Sequence, residues 1–504
     1  MMLKLALVLA LFIGLRVLYL ITFPLNLSPD EAYYWDWSRH LDWCYYSKPP
    51  MVAWLIALST ELLGNTEFAV RIPAVVLQGI SLIVFFATAR ILFGTTAGII
   101  ACLLYIASPG SAAIGIFMTI DAPMLCFWSG TLYFLTKSLL RDHNNSNKPI
   151  PIKWWIAAGA MNALALLSKQ TAVALPIFTG LMLMITPALW HHFNGFMLYL
   201  LTTMLALIPI VYWNSQHGWI TFVHTSSHFE NNGMWHIWQM LYHFVEYNLT
   251  TMGIVSPVTG ILIYGTALLS LVNFFQLDAT ARWLFFTGGL PLLGIWGLSL
   301  FQRILPNWPG PFYLAGILLL AGWLTQQVKL SIAARGFQQW IKPAILVGIT
   351  LFLLALSIPW LTTLPIIKDS PLDIGVRLRK WDELVAAVQK QRQIFSSDKQ
   401  PILLVVGHRY LVSMLAFYLP DQPQVYRFEQ KGGIHSQYEV WPGPIEHIGK
   451  PVLIVSELPL QQLPIQFTQV FFNLQSKTEI NIATHRQHRS YWIIQAEALQ
   501  TWPP

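Results

Sequence analysis

The segment LSPDEAYYWDWSRHLDWCYYSKPPMVAWL, residues 27–55, places Asp30, Glu31, Asp36, Asp42 and Lys48 among Tyr and Trp rings, and a further acid, Asp121, stands in FMTIDAPML. A carboxylate held on a rigid support can take a proton from a hydroxyl within hydrogen-bond reach. An ammonium group can hold a phosphate as a point charge. Lys48 precedes Pro49 and Pro50, which stiffen the backbone and push their predecessor into an extended conformation. Each group also has an ordinary reading. Asp36, Arg39 and Asp42 read as solvated loop charges. Lys48 reads equally well as a side chain laying its stem on apolar surface. Asp121 would be a helix cap. Asp30 and Glu31 stand apart because they fall a few residues beyond the first apolar stretch, where a loop is held by a rigid scaffold.

That scaffold has to be a membrane. Of the 504 residues, 55% are hydrophobic and 11% are charged, with mean hydropathy +0.52, whereas a soluble domain carries charge on about a quarter of its residues. A spanning helix needs roughly 20 apolar residues. Stretches near 3–23, 69–89, 95–108, 122–140, 153–168, 170–190, 194–214, 253–275, 281–301, 308–326 and 343–364 meet or approach that length. The first is read as a spanning helix rather than a cleaved leader, since Arg16 interrupts it and no small-x-small site follows. Lys4, Arg90, Lys153, Arg282, Lys329, Arg335 and Lys342 fall on one side, and Ser215–Met252 holds no Lys or Arg. The positive-inside rule then puts the N-terminus in the cytoplasm and the C-terminal segment outside. The net charge of +7 is thereby assigned to loops facing anionic headgroups and not to nucleic acid. Cys44, Cys102 and Cys126 form no framework of pairs.

Two outer loops, 24–69 and 215–252, are too long to be connectors and should hold short helices along the surface. Residues 1–364 thus read as a transmembrane domain. Residues 365–504 read as a soluble α/β domain: 373–394 has helical spacing, while PILLVVGH, QVYRF, KPVLIVSE, FTQVFF and SYWIIQA are strand-like, with helical GHRYLVSMLAFYL between the first two. The expected fold class is a polytopic α-helical membrane protein of about 11–13 spans with a C-terminal soluble α/β domain.

In order along the chain, DEAYYW, YYSKPPMVAWL, AVRIPA, MTIDAPM, YWNSQHGWITFVH and PNWPGPFY resemble the bacterial relatives of the protein O-mannosyltransferases, in the branch that includes the aminoarabinose transferase acting on lipid A. The resemblance covers most of residues 10–320 and lies in the ordered set, no single motif being decisive. It implies a GT-C glycosyltransferase that takes a sugar from a polyprenyl-phosphate donor and passes it, with inversion, to a lipid A, other glycan, lipid or protein acceptor at the periplasmic face of the inner membrane. It further implies that Asp30 serves the reaction centre as a general base, that Lys48 stabilises the departing phosphate, and that Asp121 binds donor sugar or acceptor. The aminoarabinose branch has an acid, associated with a metal, before the lysine, where this chain has Ser47. No required cofactor is expected, and a divalent metal is doubtful. His217, His224 and His228 match no compact zinc spacing.

Arg16, inside the first span, should face the bundle interior, either in a structural pairing or lining the donor groove. Arg303, just before PNWP, is a second phosphate contact or an interface anchor. A lipid or sugar transporter or flippase would also show many spans and a few buried charges, but transporters gather polar residues near the midplane in related halves. A non-catalytic sensor would tolerate loss of the Asp30 and Lys48 side chains.

Overall fold

The computed structural model of the chain describes residues 2–139, 151–227, 236–395, 400–430, 432–483 and 488–502. Most of the polar loop RDHNNSNKPIPIK and His228 lie outside the described residues. Helices α1 (Met2–Ile21), α2 (Pro29–Ser38), α3 (Met51–Leu63) and α4 (Glu67–Ile106) come first, followed by α5 (Pro109–Ile114), α6 (Asp121–Leu139), α7 (Ile152–Leu166) and α8 (Ala174–Met184). Next are α9 (Phe193–Met204), α10 (Leu207–Gln216), α11 (Ile220–Ser227), α12 (Ile237–Val255) and α13 (Pro257–Val272). Then α14 (Ala279–Leu284) passes through a π-helical turn, Phe285–Gly289, into α15 (Leu290–Leu298), and α16 (Gly310–Leu324) and α17 (Ile341–Leu361) complete the helical part.

Every apolar stretch read from the sequence falls on helix, but the lengths vary. Glu67–Ile106, Pro187–Gln216 and Ala334–Leu361 are long and apolar enough to cross a membrane individually, and α12 and α13 form a broken pair bent by 112°. The protein is a multi-pass membrane protein. Its outward faces show why: Leu201, Leu205 and Ile208 are 63%, 60% and 64% exposed, an arrangement that water disfavours and lipid accepts. At the centre, α16 is buried on all sides from Pro311 to Leu324, as an all-apolar helix must be. It meets the π-helical turn so closely that a Cβ at Gly288 would lie 2.5 Å from the Gly316 nitrogen. The stretches near 69–89 and 95–108 are two helices that fold back on each other at Gly94, where φ is 86°, a left-handed value suited to glycine; the Cys102 thiol lies 3.8 Å from the Leu82 carbonyl and the Phe85 and Tyr105 rings are 5.5 Å apart.

Both long outer loops contain helices as expected, α2 and α3 in the first, α11 and the start of α12 in the second. Beyond α17 come α18 (Trp381–Phe395), β1 (Ile402–Val406), α19 (Arg409–Tyr418), β2 (Val425–Phe428), β3 (Val452–Ser456), α20 (Ile465–Thr468), β4 (Phe471–Ala483) and β5 (His488–Leu499). The sheet order is β2-β1-β3-β5-β4, with β2, β1 and β3 parallel and β5 antiparallel to both β3 and β4. FTQVFF reaches only the start of β4, because Phe467 belongs to α20; the rest of β4, through KTEINIA, is polar on its outer positions and lacks an apolar run.

The sheet is not a free appendage. Tyr33, Trp35, Val52, Val70 and Met118 from the helical part share one buried apolar cluster with Leu411, Leu415, Tyr438, Leu453 and Ile493. Polar contacts pin the same seam: the Tyr418 hydroxyl accepts the Leu27 N–H at 2.7 Å, the Tyr33 hydroxyl accepts the Gln437 N–H at 2.6 Å, and the Tyr438 hydroxyl donates to Asp36 at 2.7 Å.

The first outer loop is organised around Glu31. Ser28 caps α2 and forms a capping box with Glu31, and Pro29 takes the first helical position. The fully buried Glu31 carboxylate also accepts Arg71 Nε at 3.0 Å, Arg71 Nη2 at 3.1 Å and the Met118 N–H at 3.1 Å. It thereby ties α2 to α4 and to the segment before α6. Removing one partner of such a pair strands a buried charge, at about 3–5 kcal/mol. Arg71→Ala should therefore lower the thermal melting midpoint of the detergent-solubilised protein markedly, whereas Asp30→Asn, at an exposed neighbour, should leave it unchanged; equal melting curves for Arg71→Ala and wild type would refute this assignment.

Candidate functional site

Asp30 sits in the first turn of α2 with its side chain 59% exposed, next to the immobilised Glu31. Glu31 itself is enclosed and fully hydrogen-bonded. Across from Asp30, at 3.6 Å, is the guanidinium of Arg409, carried on the first residue of α19 and lying 4.7 Å over the Tyr33 ring. Tyr34 is buried beside both; Asp30, Arg409 and Asp121 all act on its hydroxyl, which burial pushes well above its ordinary value.

Asp121 is the first residue of α6, but its carboxylate does not cap the helix. Its Oδ1 accepts Lys169 Nζ at 2.7 Å and its Oδ2 accepts Asn307 Nδ2 at 3.0 Å. Lys169 follows the end of α7, where its N–H bonds to the Ala165 carbonyl at 2.9 Å. Asn307 belongs to PNWP, ahead of α16. Three elements distant in sequence thus fix one carboxylate.

Lys48 lies between these groups. Its turn is closed by the Tyr45 N–H bonding to the Lys48 carbonyl at 3.1 Å, and the Met51 N–H bonds to the Leu167 carbonyl at 3.0 Å, which brings the turn beside Lys169. The Thr221 hydroxyl donates to the Tyr45 carbonyl at 2.9 Å from α11. Among the described residues no carboxylate lies within ion-pair distance of the Lys48 ammonium. Burial, followed by repulsion from Lys169 and Arg409 and opposed by Asp121 and Asp30, lowers its pKa from 10.5 to about 8.

The other candidates lie elsewhere or are otherwise engaged. Arg303 is 66% exposed and paired with Glu246 of α12 at 2.6 Å. Arg16 is buried and, among the described residues, has no acid partner; its guanidinium donates to the Ala112 and Ser111 carbonyls at 3.2 and 3.3 Å, pinning α1 to α5, and packs on Phe12 and Phe352. His224 is 4.7 Å from the Tyr46 ring, and His217 stacks on Trp213 while bonding to the Trp213 carbonyl at 2.8 Å. Asp36 departs from the solvated reading: it is 1% exposed, held by Arg39 and Tyr438, and burial raises its pKa. Asp42 accepts the Trp213 indole N–H at 2.6 Å.

Among the described residues no group of three His, Cys, Asp or Glu side chains is placed to hold a metal ion. Ser47, next to Lys48, is buried and offers a hydroxyl in place of a carboxylate. Lys169, Asn307 and Arg409 escaped sequence reasoning. Asn307 lies inside PNWPGPFY, but nothing local marks Lys169 or Arg409.

Residues 47–213 match the family model described as dolichyl-phosphate-mannose-protein mannosyltransferase. The chain is 27% identical over 232 residues to lipid A galacturonosyltransferase RgtD of Rhizobium johnstonii, covering 45% of this chain and 46% of that protein. It is 29% identical over 183 residues to the undecaprenyl phosphate-alpha-4-amino-4-deoxy-L-arabinose arabinosyl transferase of Pectobacterium atrosepticum, covering 33% and 32%. The matches span less than half the length of each relative. In fold the chain is similar over its whole length to ArnT from Cupriavidus metallidurans in the apo state, with TM-score 0.64, 15% identity and 100% of both chains covered. The likeness to ArnT bound to undecaprenyl phosphate has TM-score 0.63 at 15% identity, covering 98% of this chain and 99% of that one.

The lowered pKa of Lys48 makes a signed prediction. The ammonium is charged below about 8 and neutral above, so affinity for a phosphate anion should be held at pH 7 and fall as pH rises past about 8; a bound anion moves that midpoint upward. Lys48→Arg keeps its charge throughout and should remove the alkaline fall in a binding titration with undecaprenyl phosphate. An unchanged fall in the variant would exclude Lys48 as its source.

Proposed function

We propose that the chain is an inverting glycosyltransferase that takes a sugar from a polyprenyl-phosphate carrier and transfers it to an acceptor on the periplasmic face of the bacterial inner membrane. The observation that carries this reading is the convergence of an exposed acid, Asp30, and an uncommitted ammonium, Lys48, beside a second acid held by Lys169 and Asn307. Those are the parts that displacement at a sugar phosphate needs. The family match over residues 47–213 and the names of the relatives, which act with undecaprenyl-phosphate sugars or on lipid A, support the same chemistry.

In this reading Asp30 accepts the proton of the attacking acceptor hydroxyl. The oxygen forms a bond to the anomeric carbon on the face opposite the polyprenyl phosphate, and the carbon–oxygen bond to phosphate breaks with its electron pair. Phosphate is already a good leaving group, so the protein's task is positioning and charge stabilisation. Lys48 meets the charge left on the phosphate. Asp121, oriented by Lys169 and Asn307, accepts hydroxyl hydrogens of the donor sugar or acceptor. The excess of Lys and Arg in the loops opposite this cluster supports a cytoplasmic N-terminus, with the cluster and the sheet region outside. Residues 1–364 then form the transferase and residues 365–504 its periplasmic domain. The acceptor in this reading is lipid A, another glycan, a lipid or a protein.

The test is mass spectrometry of lipid A and glycan fractions from a deletion strain complemented with wild type, Asp30→Asn or Lys48→Ala. Loss of general-base assistance should slow transfer by about 10²–10⁴-fold, and loss of the phosphate contact by about 10²–10³-fold, at unchanged protein levels. A wild-type sugar profile from both variants would reject the reading and favour a transporter.

A further inference from the structure

The sheet order β2-β1-β3 with parallel strands creates a switch point between β1 and β3, and in open α/β sheets ligands approach the carboxyl ends of the strands there. In this chain that edge holds Gly407, His408 and Arg409 after β1, and Glu457 after β3. Glu457 already fills the start of α19: its Oε2 accepts the His408 N–H at 2.9 Å and its Oε1 accepts the Tyr410 hydroxyl at 2.7 Å. Gly407, at φ 155°, is required there, since a Cβ would lie 2.6 Å from the Glu457 carboxylate. With the helix start thus satisfied, what the edge offers outward is the Arg409 side chain.

Arg409 is aimed across the seam at the cluster in the first outer loop. Its contact with Asp30, at 3.6 Å, is too long for a hydrogen bond, and among the described residues none of its N–H groups has a hydrogen-bond partner. Its guanidinium is held in place by the Tyr33 ring and remains 30% exposed. Lys48, which has no carboxylate partner among the described residues, lies within its electrostatic reach and is repelled by it. Arg409 keeps only the loose ion pair to Asp30, so an anion placed between the two cations would relieve their repulsion. An oxyanion between Arg409 and Lys48 would meet both cations, whereas the Lys169 ammonium is already bonded to Asp121. Arginine's planar fork suits an oxyanion's shape.

We infer that Arg409, carried by the C-terminal sheet region, is a substrate-binding residue of the site, and that with Lys48 it holds an oxyanion, either the donor's phosphate or a carboxylate on the sugar. The inference rests on the proposed transfer chemistry and extends it: the sheet region completes the site and does not merely cover it. An Arg beside Asp30 also disfavours a cationic amino sugar at that position.

The experiment uses the full chain in lipid nanodiscs, with binding of undecaprenyl phosphate and, separately, of D-galacturonate followed by tryptophan fluorescence for wild type, Arg409→Ala, Arg409→Lys and Lys48→Ala, alongside melting curves. Arg409→Ala should weaken at least one of the two anions by about tenfold or more at an unchanged melting midpoint, with partial recovery in Arg409→Lys. Loss confined to undecaprenyl phosphate assigns Arg409 to the donor's phosphate, and loss confined to galacturonate assigns it to an acidic sugar. Wild-type affinity of Arg409→Ala for both anions overturns the inference, as does a wild-type protein that binds neither. If Lys48→Ala loses undecaprenyl phosphate while Arg409→Ala does not, the transferase reading survives and this inference fails. If binding depends on Arg409 but wild-type membranes transfer no sugar, the transferase reading fails and the anion site stands.

Discussion

The buried Glu31–Arg71 pair is the constraint on which the rest of the outer face depends. A carboxylate with no exposure must have its oxygens satisfied and its charge matched, and Glu31 achieves this by drawing on Ser28, Arg71 and Met118 at once. Those partners lie before α2, within α4 and before α6. Satisfying one side chain therefore fixes the relative placement of three segments that contribute to the site. Asp30 is the adjacent residue in the same helical turn, so its position is inherited from its neighbour's burial while its own carboxylate stays accessible.

The division of labour between these adjacent acids follows from helix geometry. Successive residues of a helix point about 100° apart, so one can face the core while the next faces outward. The capping box turns Glu31 inward and leaves Asp30 turned toward the seam with the sheet region. Asp121 shows a different solution to the same problem: an acid that is neither fully buried nor free, held at both oxygens by Lys169 and Asn307. Lys48 is the counterweight, an ammonium kept near four other charged side chains, Lys169, Asp121, Asp30 and Arg409, without a direct carboxylate partner among the described residues. Charged groups perturbed in this way cluster at functional sites.

The seam between the helical part and the sheet has the character of a core. Aromatic residues of α2 pack directly on α19, and the polar atoms along the seam are paired across it, as in Tyr438 with Asp36 and Tyr33 with the Gln437 backbone. Such packing gives the two parts one fixed relative arrangement. It also explains Asp36, whose loop position suggests solvation but whose carboxylate is covered by a partner about 400 residues further along the chain.

Local signals in the sequence determined a good deal. Apolar length located the helices of the membrane part, and short β-rich runs bounded by turn residues located most of the strands. The same signals singled out Asp30, Lys48 and Asp121 as groups whose chemistry needed explaining. Tertiary structure decided which groups meet. That Glu31 is enclosed, that Arg16 bonds to backbone carbonyls, that Arg303 pairs with Glu246, and that Lys169, Asn307 and Arg409 converge on the acids are all consequences of contacts between residues far apart in the chain. A cation's partner depends on distance in space and on the loss of water around it. Periodicity records which face of an element is buried, but not which distant side chain is buried against it.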